Sequence, residues 1–184
     1  QELGSIGAEL QVSYGPFEEA AFGSVPELPL DLVDDVREAG EAYGVQKITP
    51  VLLYVRGGFT PGTSFAFQGL PAGADVAAIY PGYEVVEGRG LTEDDADAFV
   101  AVVGRQAAER SRLELGDELR LNPQARFEIV GLASSGGGFL SNAILVPLAP
   151  LQEAIGVEDR VTFFVIDLAE PGRDQEAAEA LRSE

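Results

Sequence analysis

Apolar and polar positions alternate from Glu9 to Tyr14, with Leu10, Val12 and Tyr14 on one face and Gln11 and Ser13 on the other, which predicts a half-buried strand. After a loop from Gly15 to Leu28 the period changes. Leu32, Val33, Val36, Ala39 and Tyr43 share a face at helical spacing, Pro29 suits the first helical position, and Asp31, Asp34 and Asp35 lie near the positive end of the helix dipole. Gly40 and Gly44 punctuate the end of this helix. Ile48 to Val55 is a continuous, β-branched-rich apolar run, the pattern of a strand covered on both faces. Pro50 lacks a backbone N–H and confines the start of that strand to an edge or a bulge. Thr63 to Gln68 alternates again, with Phe65 and Phe67 facing one way.

Between Gly69 and Gly90 the chain is rich in Gly, Pro and Ala, a passage from one lobe to another. Thr92 and Asp95 have the spacing of a capping pair for a short helix. Phe99 to Val103 reads as a short buried strand, and Arg105 to Arg112 as a helix with Ala107 and Ala108 inward. Asp117 to Leu121 and Phe127 to Leu132 read as strands around an Asn122-Pro123 turn. A glycine-rich loop from Ser134 to Gly138 precedes a strand at Ala143 to Val146, a helix at Leu148 to Ile155, a strand at Val161 to Leu168 and a helix at Asp174 to Arg182. Strand, helix, strand at both ends with a compact α+β stretch between them predicts an α+β fold. Its larger layered α/β lobe comes from residues 1–68 and 132–184, and residues 69–131 form a smaller inserted lobe.

Composition narrows the chemistry. A chain of 184 residues buries enough surface to stabilise itself without metal or disulfide. It contains neither Cys nor His, which removes thiol chemistry, imidazole catalysis and the usual zinc ligand sets. The formal charge of −19 repels phosphate backbones, so nucleic acid is not expected as a partner. Lys47 is the one lysine among twelve basic residues. No run approaches the roughly 20 apolar residues that a membrane-spanning helix requires.

Five elements in register carry a resemblance: Gly88-Arg89-Gly90-Leu91-Thr92, Val102-Val103-Gly104-Arg105, Leu115-Gly116-Asp117-Glu118-Leu119, Phe127-Glu128-Ile129-Val130-Gly131 and Val146-Pro147-Leu148. In this order and spacing the chain resembles the MacB-like periplasmic core domain, the extracytoplasmic module of FtsX-like ABC transporter permeases. Gly90 departs from the larger residue that many relatives place between the arginine and the leucine. The resemblance implies a larger Porter lobe with a smaller Sabre lobe inserted. It also implies a domain between the first two membrane helices of a permease in the cell membrane, exposed to the periplasm or the extracellular side. Such a domain is expected to be noncatalytic, to need no cofactor and to pass ATP-driven movement outward. Its implied partners are a cognate cytoplasmic ATPase subunit, a second permease copy, and a periplasmic adaptor or secreted substrate.

Individual residues offer few alternatives. Glu93, Asp94, Asp95 and Asp97 form the densest carboxylate cluster, but the spacing lacks the central glycine and terminal glutamate of a calcium loop, and acids at a helix start are stabilised by its dipole. Glu114, Asp117 and Glu118 surround Gly116, which suits a positive-φ turn capped by Asp117. No Lys-Ser or Lys-Thr pair follows Gly136-Gly137-Gly138, so this loop is a tip and not a phosphate cradle. Phe139 and Leu140 at its end, with Asn142, are candidate partner contacts. Arg105, Arg110, Arg112, Arg120 and Arg126 concentrate basic charge in the inserted lobe, where surface ion pairing is the default. Two other functions remain open at this level: a free-standing extracytoplasmic ligand-binding protein, which requires a deep interlobe pocket with inward carboxylates, and a carboxylate hydrolase, which requires two converging acids.

Overall fold

In a computed structural model, the structure describes residues 10–13, 28–41, 44–56, 65–134 and 142–168. Among these a nine-stranded mixed sheet forms, joined by a two-stranded ribbon and helices, an α+β fold as the pattern predicts. The strands are β1 (Leu10–Ser13), β2 (Leu28–Pro29), β3 (Val45–Arg56), β4 (Phe65–Leu70), β5 (Glu84–Gly88), β6 (Val100–Gly104), β7 (Glu118–Arg120), β8 (Arg126–Ser134), β9 (Ala143–Pro147), β10 (Arg160–Val161) and β11 (Phe163–Leu168). Helices α1 (Leu32–Gly40), α2 (Val76–Ile79), α3 (Arg105–Ser111) and α4 (Leu148–Ile155) connect them. The sheet runs β1-β11-β3-β4-β9-β6-β8-β5, with β7 paired to β8. Two neighbours, β4 with β9 and β6 with β8, are parallel.

β3 links two ladders. Val45 to Val51 pair with β11, whereas Leu52 to Arg56 pair with β4. Pro50 lies in the half that pairs only with β11, so its missing N–H falls on the side without a ladder, as its chemistry demands. At the handover Thr162 replaces the missing ladder partner. Its N–H donates to the Val51 carbonyl (2.8 Å), and its hydroxyl accepts from the Leu53 N–H (2.9 Å). This break divides the long strand expected at Val161 to Leu168 into β10 and β11.

Both faces of the central strands are covered, which explains their unbroken apolar runs. On one face Leu52, Phe67, Ala101, Val103, Ile144 and Val146 pack with Ala107 and Ala108 of α3 and with Leu148 and Leu151 of α4. On the other, Val51, Leu70, Val102 and Leu145 pack beneath Val76, Ile79 and Tyr80. α4 starts after Pro147 and ends at Gly156, whose φ of +70° permits the left-handed cap. The Asn122 amide donates to the Ala154 carbonyl near that end (2.6 Å).

Some expectations shift. Pro29 lies in β2, paired with Arg160, and the first helix begins at Leu32, because the chain is held in the ribbon before it coils. Gly69 to Gly90 is more structured than its composition suggests: β4 extends to Leu70, Asp75 caps α2 by accepting from the Ala78 N–H (3.2 Å), and β5 follows. The expected helix at Asp174 to Arg182 lies outside the described residues.

Candidate functional site

β5 ends where its backbone crosses β8 at close quarters. A bulge between Val85 and Glu87 shifts its register, and Gly88 turns the chain at φ +72°. The Arg89 N–H then donates to the Val130 carbonyl (2.9 Å). A Cβ on Gly131 would collide with the Arg89 carbonyl oxygen, so a residue with a side chain cannot sit there without moving one strand. This approach aims the Arg89 guanidinium at the next turn. Its two terminal nitrogens fork the Asp95 carboxylate at 2.6 and 2.9 Å, and the same carboxylate accepts from the Thr92 N–H (2.8 Å) and hydroxyl (2.9 Å). Thr92 and Asp95 thus form the capping box read from their spacing, around a 3-10 turn at Glu93–Asp95. Asp95 is buried, and the guanidinium bond, joined by the two Thr92 donors, holds its pKa down to about 2 against an ordinary 3.8. A carboxylate so saturated stays ionised at neutral pH and serves to hold the turn.

Of the candidate partner contacts, Phe139 and Leu140 lie outside the described residues. Asn142 stands at the entry to β9, half-buried, where its carbonyl oxygen accepts from Arg110 (2.8 Å) and its amide donates to Gln106 (3.2 Å). Both partners belong to α3, so Asn142 ties the start of β9 to the helix after β6. Arg126 pairs with Glu118 (2.8 Å) across the β7–β8 ladder, and the Arg120 carbonyl accepts from Arg56. The Asp117 carboxylate accepts from the Glu114 N–H (2.8 Å) around Gly116 (φ +82°), the capped turn expected there. Glu93, Asp94 and Asp97 are exposed, and among the described residues no group of three or more acids is placed to hold a metal ion.

A small cleft opens where the β3–β4 ladder ends, lined by Lys47, Ile48 and Thr49 of β3 and by Pro71, Ala72, Gly73 and Ala74. The Arg89–Asp95 fork and this cleft escaped sequence reasoning. Six positions separate Arg89 from Asp95, a spacing with no helical meaning, and only an arginine ahead of a capping box hinted at the pair.

The strands, the forked turn and the Asn142 tie define an α+β domain whose described polar side chains join elements to one another. The chain belongs to the MacB-like periplasmic core domain family, whose model matches residues 1–184, and is an extracytoplasmic domain of an ABC transporter permease of the MacB/FtsX type. Its fold is similar to the crystal structure of the periplasmic region of MacB from Actinobacillus actinomycetemcomitans, at 19% identity and a TM-score of 0.66, covering 98% of this chain and 87% of that one. It is also similar to the extracellular domain of the noncanonic ABC-type transporter YknZ from Gram-positive bacteria, at 15% identity and a TM-score of 0.62, covering 94% and 90%. A sequence comparison with curated proteins gives no match. No helix among the described residues is long and apolar enough to cross a membrane.

Proposed function

We propose that this domain is a noncatalytic arm of its permease. It carries ATP-driven movement of the membrane helices outward and meets an adaptor, a secreted substrate or another extracytoplasmic partner through Phe139, Leu140 and the neighbourhood of Asn142. In this reading residues 1–68 and 132–184 form the larger lobe, residues 69–131 the smaller inserted one, a cytoplasmic ATPase supplies the energy and a second permease copy completes the assembly. The observation that carries the reading is the continuity of the sheet. β9 and β6 meet through only two register pairs, Val102 with Leu145 and Val103 with Ile144, yet the side chains of these four residues fill the cores on both faces. A joint buried on both sides passes a displacement on without bending, because close-packed interiors do not deform continuously.

This domain contains no cysteine, so spin labels placed in it report from chosen positions once any cysteines in the rest of the assembly have been replaced. Cysteines replace the exposed Glu38 on α1 and Glu87 on β5 in the full permease with its ATPase. The Glu38-to-Glu87 distance within one domain is expected to be the same with and without ATP, while the Glu87-to-Glu87 distance between two copies changes. A changing internal distance, or a constant distance between copies, refutes the arm. In the same assembly, Phe139→Ala with Leu140→Ala is expected to lower transport while basal ATPase activity persists. Unchanged transport removes these residues as partner contacts.

A further inference from the structure

β5 closes one end of the nine-stranded sheet, and among the described residues no strand pairs with its outer side. A strand left open in this way presents backbone N–H and C=O groups that an extended segment of another chain can pair with. Within β5 the side chains of Glu84, Val86 and Glu87 are exposed, and the bulge sets their order. Glu84 pairs with Ser134 and Glu87 with Leu132, two residues apart on β8, so both glutamates stand on one face of the sheet although three positions separate them in sequence. An unbulged strand would put them on opposite faces. Among the described residues the exposed large apolar side chains are Val86 (38%) and Leu115 (37%), and both belong to this edge. Val86 lies in the bulge, and Leu115 packs where Gly88 lacks a Cβ. Glu114 beside it is a third exposed carboxylate, while Arg89, at the exit from the strand, is held by Asp95.

We propose that the outer edge of β5 takes up an extended basic segment of another protein as an additional strand. Two Lys or Arg side chains of that segment face Glu84 and Glu87, and its apolar side chains meet Val86 and Leu115. The two glutamates have the spacing of alternate residues in a regular strand, so the basic residues of the partner fall at alternate positions. A second copy of this chain is the wrong occupant, because β5 laid on β5 sets acidic strand against acidic strand, and like charges opposite one another destabilise a ladder. The formal charge of −19 also draws a basic partner toward the domain. The inference does not depend on the contacts proposed at Phe139, Leu140 and Asn142.

Amide shifts and hydrogen exchange of residues 84–88 in the isotope-labelled domain read the pairing directly. The buffer is at about 0.15 M salt, where the net charge is screened beyond about 8 Å. The probe is the blocked peptide acetyl-Thr-Lys-Val-Lys-Val-Lys-Thr-amide. Its controls are the same peptide with glutamate in place of lysine, and the same peptide methylated at every backbone nitrogen, which keeps the charge but cannot donate to a strand. Saturable shifts and slowed exchange within residues 84–88 are expected with the lysine peptide, on the order of millimolar affinity, and with neither control. Glu84→Gln combined with Glu87→Gln, both at exposed positions, is expected to weaken binding about fivefold by removing two cross-strand charge pairs. No shifts with the lysine peptide, equal shifts with a control, or unchanged affinity in the double variant each overturn the assignment. So do shifts within residues 84–88 that grow with protein concentration in the absence of peptide, the mark of a second copy on this edge.

Discussion

Replacing Asp95 by Asn removes the charge at the centre of the forked turn while nearly preserving its shape. The Asp95 carboxylate takes four hydrogen bonds, two from Arg89 and two from Thr92, and the amide of Asn presents an NH2 where one oxygen had accepted. A fall in pKa from 3.8 to about 2, at about 1.4 kcal/mol per pH unit, corresponds to about 2.5 kcal/mol of folding stability. The Arg89 side chain is 47% exposed, so solvent screening lowers this to about 1–2 kcal/mol. The opposed NH2 adds a comparable cost, and the sum is about 2–3 kcal/mol. In a domain of 184 residues that lowers Tm by about 4–12 °C. The folded-state pKa is depressed, so the charged-state contribution is fully present above the unfolded value of 3.8 and disappears as pH falls through about 2. Urea unfolding of the wild type and Asp95→Asn, followed by circular dichroism at pH steps from 7 to 2, is expected to show a constant gap down to about pH 5 that narrows below it. A variant as stable as the wild type at pH 7, or a gap that does not change toward pH 2, refutes the reasoning.

Gly131→Ala places a Cβ against the Arg89 carbonyl and is expected to cost about 2–3 kcal/mol by urea unfolding, with Gly88 and Arg89 amides shifted most. Thr49→Val removes a buried hydroxyl without a partner and is expected to raise stability by about 1 kcal/mol; a loss of stability in the same assay contradicts the unpaired state of that group. Asn142→Ala breaks the tie to Arg110 and Gln106, and since these bonds are exposed the change in stability is expected to be only about 0.5 kcal/mol. Faster hydrogen exchange at Ala143 and in α3, with little change in Tm, is the accompanying signature.

Elements whose own residues set both ends were legible in the sequence. α4 runs over Leu148–Ile155 as read, because Pro147 precedes it and Gly156 follows it. α3 buries Ala107 and Ala108 as their spacing requires, and the Thr92–Asp95 box announces its turn locally. Elements defined by a distant partner were not legible. Glu84 to Gly88 is a short, acid-flanked segment whose strand character comes from β8, far along the chain, through pairs such as Val85 with Ala133. Pro29 has the chemistry of a helix start, but its pairing with Arg160 keeps it in a ribbon. The Arg89–Asp95 fork depends on Gly131 admitting the Arg89 backbone, and the cleft depends on β3 and β4 diverging after Leu52 and Gly69. A linear pattern carries neither kind of information, since both arise from which strand lies next to which.

A common principle connects three of the polar ties: each takes over where a backbone ladder stops. Thr162 completes the handover of β3 from β11 to β4, Arg89 and Asp95 secure the exit from β5, and Asn142 fastens the start of β9. A ladder end is where a sheet under load opens first, because the next backbone bond is absent and the strand can peel. Thr162 and Asp95 are both buried, whereas the Asn142 bonds are exposed to water, so the three ties differ in strength. A domain loaded along its sheet therefore yields first at Asn142, at the start of β9, while the β3 handover and the β5 exit keep their shape. Local exchange at Ala143 rising before that at Leu53 or Thr92 in moderate urea would express this order in a measurement on the isolated domain.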